Sequence, residues 1–144
     1  MKTARALLGT WSLVTWYNQT ADGQKTYPLG RDAGGYISYT ADGFVFVQVA
    51  ASHRALYAVN NPLEGTTAED SAAMKSLISY AGTYTVSGNH VIHRVTEASF
   101  PNWVGTEQVR TFDITGDRLR LSASGVVFQG QEVSSTVDWI RAQA

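Results

Sequence analysis

Two residues of this chain have the chemistry of an acid–base pair, His93 and Arg110. A guanidinium beside an imidazole disfavours a second positive charge and keeps the ring neutral near pH 7. A neutral imidazole can take a proton next to a carbonyl while the guanidinium holds the enolate that develops. Whether the two side chains meet depends on strand register. If Glu97 opposes Thr106 across the loop 98–104, then Val95 faces Gln108, His93 faces Arg110 and Val91 faces Phe112. Directly opposed residues carry their Cβ atoms about 5 Å apart. The same constellation admits two other readings. It is a polar patch that orients a bound molecule without reacting with it, or a plug in which Gln108, water and tyrosine hydroxyls satisfy His93 and Arg110.

Other chemistries fit the residues less well. His93 and Glu97 share a strand face but are separated by roughly 13 Å along the strand, too far for a direct dyad. His90 and His93 point to opposite faces and His53 falls in a loop, so zinc would need carboxylates from elsewhere. A haem on His93 alone has little to support it. The chain has no cysteine, so disulfides, thiolate sites and cysteine nucleophiles are excluded. No phosphate-binding loop, nucleotide fingerprint or Ser-His-Asp order is present. Neither a metal nor a cofactor is expected.

The elements that must hold these residues are strands. Leu8 to Thr20, Gly34 to Thr40, Phe44 to Ala50, Ala81 to Val86, His90 to Glu97, Gly105 to Ile114, Asp117 to Ser122 and Ser135 to Arg141 are strand-like, mostly alternating with period two. Asp-Gly, Ser-Gly and Thr-Gly pairs punctuate them at hairpin spacing. One helix is expected over Thr67 to Ser79, with Glu69 and Asp70 in its first turn and Leu77 and Ile78 on its apolar face. It falls between the third and fourth strands. Its expected role is to cover apolar surface, with a lid over the structure as the alternative. About eight hairpin-linked strands favour a closed antiparallel barrel, which has no exposed edges.

Two-residue turns at Ser87-Gly88 and Thr115-Gly116 place Tyr84 opposite Val91, Gly82 opposite His93 and Phe112 opposite Leu119. One face then carries Tyr84, Val86, Val91, His93, Val95, Gln108, Arg110, Phe112, Leu119 and Leu121, and this is the inner face. A three-residue turn at Ala41-Asp42-Gly43 pairs Tyr36 with Gln48 and Ser38 with Phe46. Either that face or the Ile37/Tyr39/Val45/Val47/Val49 face points inward.

Bulk properties set the outer bounds. The chain has 144 residues, 11 Lys+Arg against 12 Asp+Glu, and 44% hydrophobic residues. That suits one folded domain over residues 1–144 and speaks against nucleic-acid binding. No apolar run reaches the ~20 residues of a membrane span, and Arg5 interrupts the short apolar stretch at the N-terminus. The expectation is a cytoplasmic chain without a membrane partner. Exposed aromatic residues leave a homodimer open.

Gly9-Thr10-Trp11 at the head of the first strand resembles the Gly-x-Trp signature of lipocalins. Tyr27-Pro28-Leu29-Gly30, Gly35-Tyr36, Val47-Gln48, Tyr80-Ala81-Gly82-Thr83-Tyr84 and Phe100-Pro101-Asn102-Trp103-Val104-Gly105-Thr106, followed by Gln108 and Arg110, resemble the bacterial and fungal lipocalin-like domain family. The resemblance implies an all-β barrel that handles small apolar or amphipathic molecules. Related barrels include carriers and also isomerases and cyclases of secondary metabolism, so no single reaction follows. In antiparallel closure Arg141 falls beside Trp11, as a cation–π or packing partner. The candidate site is His93 and Arg110 as the catalytic pair, with Tyr36, Gln48, Tyr84, Glu97, Asn102, Trp103, Gln108 and Phe112 around a small-molecule ligand. Trp103 would cap the cavity mouth and Asn102 bond the ligand, unless both serve only the turn and rim. Three functions stay open: ligand binding, a cofactor-free isomerase or cyclase, and a structural or interaction protein whose barrel is filled.

Overall fold

The computed structural model describes residues 4–144. The part of the N-terminal reading that falls on Met1, Lys2 and Thr3 lies outside the described residues. A short helix α1 (Ala4–Leu7) leads into β1 (Gly9–Gln19), β2 (Lys25–Thr26), β3 (Gly34–Tyr39) and β4 (Phe44–Ala50). Helix α2 (Thr67–Lys75) follows, then β5 (Leu77–Ser87), β6 (His90–Ala98), a 3-10 turn at Pro101–Trp103, β7 (Glu107–Thr115), β8 (Arg118–Phe128) and β9 (Gln131–Arg141). The sheet runs β2-β1-β3-β4-β5-β6-β7-β8-β9, and antiparallel pairing of β1 with β9 closes it into a barrel of eight strands with β2 as an appendage. Because β2 adds a strand, the helix lies between β4 and β5 rather than between a third and fourth strand. No helix among the described residues is long and apolar enough to cross a membrane.

The helix is shorter than its apolar pattern suggests. Thr66 and Glu69 form a reciprocal capping box at its start, and it stops at Lys75. Leu77 and Ile78 enter β5, where they pair with Ala50 and Val49 of β4. None of the helix residues is buried, so it does not cover the barrel. Instead Tyr57 bonds Asp70 at 2.8 Å and Arg54 bonds the Ala73 carbonyl at 3.1 Å, tying the 51–66 connection to the helix.

Three of the four pairings differ from expectation by two residues each. The β5–β6 turn is Gly88-Asn89, with Ser87 opposite His90, and the β7–β8 turn is Gly116-Asp117, with Thr115 opposite Arg118. Gly88 and Gly116 adopt φ of +59° and +61°. Glycine therefore opens each turn rather than ending it, the arrangement of a type II′ hairpin. Between β6 and β7, His93 opposes Gln108 and Val91 opposes Arg110, so His93 and Arg110 are not directly opposed. A slip of two residues leaves every side chain on its own face. Val91, His93, Val95, Phe112, Leu119 and Leu121 accordingly all point inward and are buried. The three-residue turn at 41–43 pairs Tyr36 with Gln48 and Ser38 with Phe46 as expected, and the inward face of these strands is Ile37, Tyr39, Val45, Val47 and Val49.

One register break changes a face. Ala81 pairs with Glu97 but Gly82 pairs with Val95, leaving Thr96 as an extra residue in β6. The bulge turns Glu97 away from the interior. It also brings the strands so close that a Cβ at Gly82 would sit 1.8 Å from the Arg94 carbonyl oxygen.

The two barrel ends are built differently. At one end Leu7, Trp11, Tyr39, Val45, Val91 and Phe112 are fully or almost fully buried. The Arg141 guanidinium lies 3.7 Å from the centroid of the Trp11 ring and donates to the Leu8 and Ala6 carbonyls, while the Trp11 indole donates to the Leu7 carbonyl at 2.9 Å. This plug satisfies carbonyls of α1 and the residue after it that the sheet cannot reach. The other end is less filled. Gly82→Ala is expected to force the β5–β6 bulge apart and to cost about 1–3 kcal/mol, read as a lower urea midpoint at pH 7.

Candidate functional site

At the loosely filled end lies a partly open cavity of about 100 Å³. Trp16, Ile37, Val49, Leu121, Val137 and Trp139 form much of its apolar wall. Its polar side is Tyr80, His93, Gln108 and Arg110, and Trp103 stands at its edge. The Trp103 ring meets Tyr80 and Phe100 edge-on at centroid distances of 5.9 and 5.5 Å. Proline at 101 starts the 3-10 turn that holds Trp103 there.

His93 sits between this cavity and the filled end. It is 1% exposed, and both ring nitrogens are engaged by tyrosines. Tyr39 Oη lies 2.7 Å from Nε2 and Tyr80 Oη lies 2.6 Å from Nδ1. Desolvation first, and the positive charge of Arg110 second, push the His93 pKa from 6.5 down to about 3. The imidazole is therefore neutral over the physiological range, with burial rather than the expected cross-strand arginine as the larger cause. Burial likewise lifts the Tyr80 phenol to about 12, against a smaller downward pull from Arg110. Burial raises Tyr39 well above the usual phenol value, with Tyr80 and Tyr84 adding to the rise.

Arg110 donates to the Val109 carbonyl at 2.9 Å and to Gln108 Oε1 at 2.8 Å. No carboxylate among the described residues forms an ion pair with it. Its charge is thus presented to the cavity with only neutral partners, and an anionic or strongly polar oxygen would complete it.

The remaining candidates separate into four places. Gln108 and Trp103 join His93 and Arg110 around the cavity. Tyr84 and Phe112 lie in the packed layer at the other end, where Tyr84 stacks edge-on against Tyr39 at 4.9 Å and donates to the Thr40 carbonyl at 2.9 Å. Tyr36, Gln48 and Glu97 are on the outside of the barrel, where they share an open groove of about 410 Å³ with Phe46. Tyr36 and Gln48 face out because Ile37, Val47 and Val49 take the inner face, and Glu97 because of the bulge at Thr96. Asn102 is exposed and does not line the cavity.

The sequence reading missed Tyr39 and Tyr80 as the partners of His93. Tyr80 fell in the gap between an over-extended helix and a strand begun too late. Stepping back by twos from Tyr84 through Gly82 reaches it. Trp139 was hidden only by the lack of a register for the last strand, since Val137 and Trp139 alternate there.

The neutral histidine has a consequence for stability. The unfolded chain takes up a proton near pH 6.5 that folded His93 refuses until about pH 3. Its contribution is complete above pH 6.5 and declines as the pH falls towards 3, by at most about 1.4 kcal/mol per pH unit. His93→Gln, which has no such proton to refuse, is expected to narrow the gap between urea midpoints measured at pH 7 and pH 4. An unchanged gap would place the acid sensitivity elsewhere.

Comparison with known proteins agrees with this architecture. A family model described as the lipocalin-like domain matches residues 8–142. The 4′-hydroxy-3′-methoxypropiophenone carrier protein of Aspergillus oryzae is 40% identical over 86 residues, covering 54% of this chain and 78% of that protein. The crystal structure of a lipocalin-like protein from Bacteroides uniformis superposes with a TM-score of 0.50 at 14% identity, covering 94% of this chain and 98% of that one.

Proposed function

Since the chain belongs to the lipocalin-like domain family, we propose that it binds a small amphipathic organic molecule in the barrel cavity and releases it unchanged. The observation that carries this reading is the composition of the cavity wall. Indole and aliphatic surfaces form one side, while Tyr80, Gln108 and Arg110 gather on the other. Such a division orients a flat molecule with one polar end. The similarity to a fungal carrier of an aryl ketone points to the same ligand class.

Size constrains the process. The cavity of about 100 Å³ is smaller than the ~150 Å³ hollow that accepts benzene in another protein. A guest the size of an aryl ketone therefore needs Trp103 and the 3-10 turn at 101–103 to swing outward. The same small volume favours a second reading, a barrel filled by its own side chains with no guest. An isomerase or cyclase reading is left with one route. Both His93 nitrogens are bonded to phenols, so proton transfer to a guest would pass through the Tyr80 hydroxyl.

Titration with a panel of phenols and aryl ketones, followed by tryptophan fluorescence, separates these readings. Trp16, Trp103 and Trp139 all border the cavity, so a bound guest is expected to give saturable quenching. NMR of the recovered guest is expected to show it unaltered. Trp103→Ala is expected to accelerate both entry and release. No saturable response across the panel would support the filled barrel, and a chemically altered guest would support the enzyme.

A further inference from the structure

The chain of hydrogen bonds through His93 has a direction, and burial decides it. A neutral imidazole carries one N–H and one bare nitrogen, so one tyrosine donates to the ring and the other accepts from it. If Tyr80 donated to Nδ1, Nε2–H would donate to Tyr39, and the Tyr39 hydroxyl hydrogen would need another acceptor. Tyr39 is 1% exposed and has no other hydrogen-bond partner among the described residues. Stranding that hydrogen is unfavourable, because a buried donor without an acceptor loses its hydration uncompensated. In the opposite order Tyr39 donates to Nε2, Nδ1–H donates to Tyr80, and the hydrogen left over belongs to Tyr80. Tyr80 borders the cavity, where a guest or solvent can accept it.

A second donor belongs to a residue of the same wall. The Trp139 Nε1 group is buried with no hydrogen-bond partner among the described residues, and the Trp139 side chain lines the cavity. Arg110 lines it too, and its guanidinium can only donate. No aspartate or glutamate is among the lining residues. The wall thus offers N–H and O–H groups in excess of acceptors.

We propose that the cavity is a donor site selecting an acceptor oxygen, a ketone carbonyl or an ionised phenol or enol, with Tyr80 as the hydrogen-bonding residue and Tyr39 and His93 positioning its proton. This deepens the binding reading above and rests on it for the identity of the guest. The polarity of the chain is independent of any guest. It makes His93 the Nδ1–H tautomer in the empty protein.

Two measurements test the two halves. In ligand-free protein labelled with 15N-histidine, with His93→Gln identifying the resonance, the ring shifts are expected to report a protonated Nδ1 and a bare Nε2. A protonated Nε2 would overturn the direction of the chain whether or not anything binds. Propiophenone and propylbenzene share ring and chain length and differ in the carbonyl oxygen. The ketone is expected to bind about tenfold more tightly, as one well-made hydrogen bond allows, and Tyr80→Phe is expected to remove most of that difference. Equal affinities for the wild-type protein would overturn the donor site while leaving apolar binding intact. A difference that survives in Tyr80→Phe would move the donor role away from Tyr80. Binding of neither compound would overturn the binding reading and the ligand half of this proposal with it.

Discussion

The interior is organised around a desolvated imidazole that must stay neutral. His93 is almost fully buried in a β-barrel, where a charged ring would lose its hydration and face Arg110 as well. Remaining neutral gives the ring one donor and one acceptor, and the two must be satisfied by different partners. Tyr39 and Tyr80 supply them from β3 and β5, on either side of β4. The three side chains therefore link strands β3, β5 and β6 across the barrel, and they divide its interior into a packed end and a hollow one.

Each end uses a different device to tolerate polar groups. At the packed end Arg141 covers the Trp11 face and takes up carbonyls from α1 and the residue after it. Its charge is matched to backbone acceptors, and the ring beneath excludes water. At the hollow end Arg110 is matched only to the Val109 carbonyl and the Gln108 amide oxygen. The two arginines are alike in chemistry and opposite in consequence. One completes a structural plug, and the other gives the cavity a polar wall.

Much of this barrel is legible in the sequence because a strand has a two-residue period. His93, Val91, Val95, Phe112, Leu119 and Leu121 could be assigned to one face even though the β5–β6, β6–β7 and β7–β8 pairings were each displaced by two residues. An even displacement does not change sides. The neutral state of His93 follows chiefly from placing it inward, with Arg110 as the smaller cause. Residues outside an unbroken alternation were misassigned. Glu97 lies just beyond the Thr96 bulge, and Leu77, Ile78 and Tyr80 lie where a helical pattern runs into a strand.

By itself, then, the sequence determined an antiparallel barrel with His93, Gln108 and Arg110 on its inner wall and a Trp11–Arg141 contact at its closure. Local periodicity and turn residues carry the barrel and its inner wall along single strands and hairpins, while the Trp11–Arg141 contact came from the resemblance of Gly9-Thr10-Trp11 to the lipocalin signature. Only the tertiary structure decided that His93 answers to Tyr39 and Tyr80, that Tyr36, Gln48 and Glu97 look outward, and that the space left over is small. Those outcomes depend on how strands distant in the chain curve and interdigitate around a common interior. Volume and partner choice are properties of the assembled barrel, which no single strand encodes.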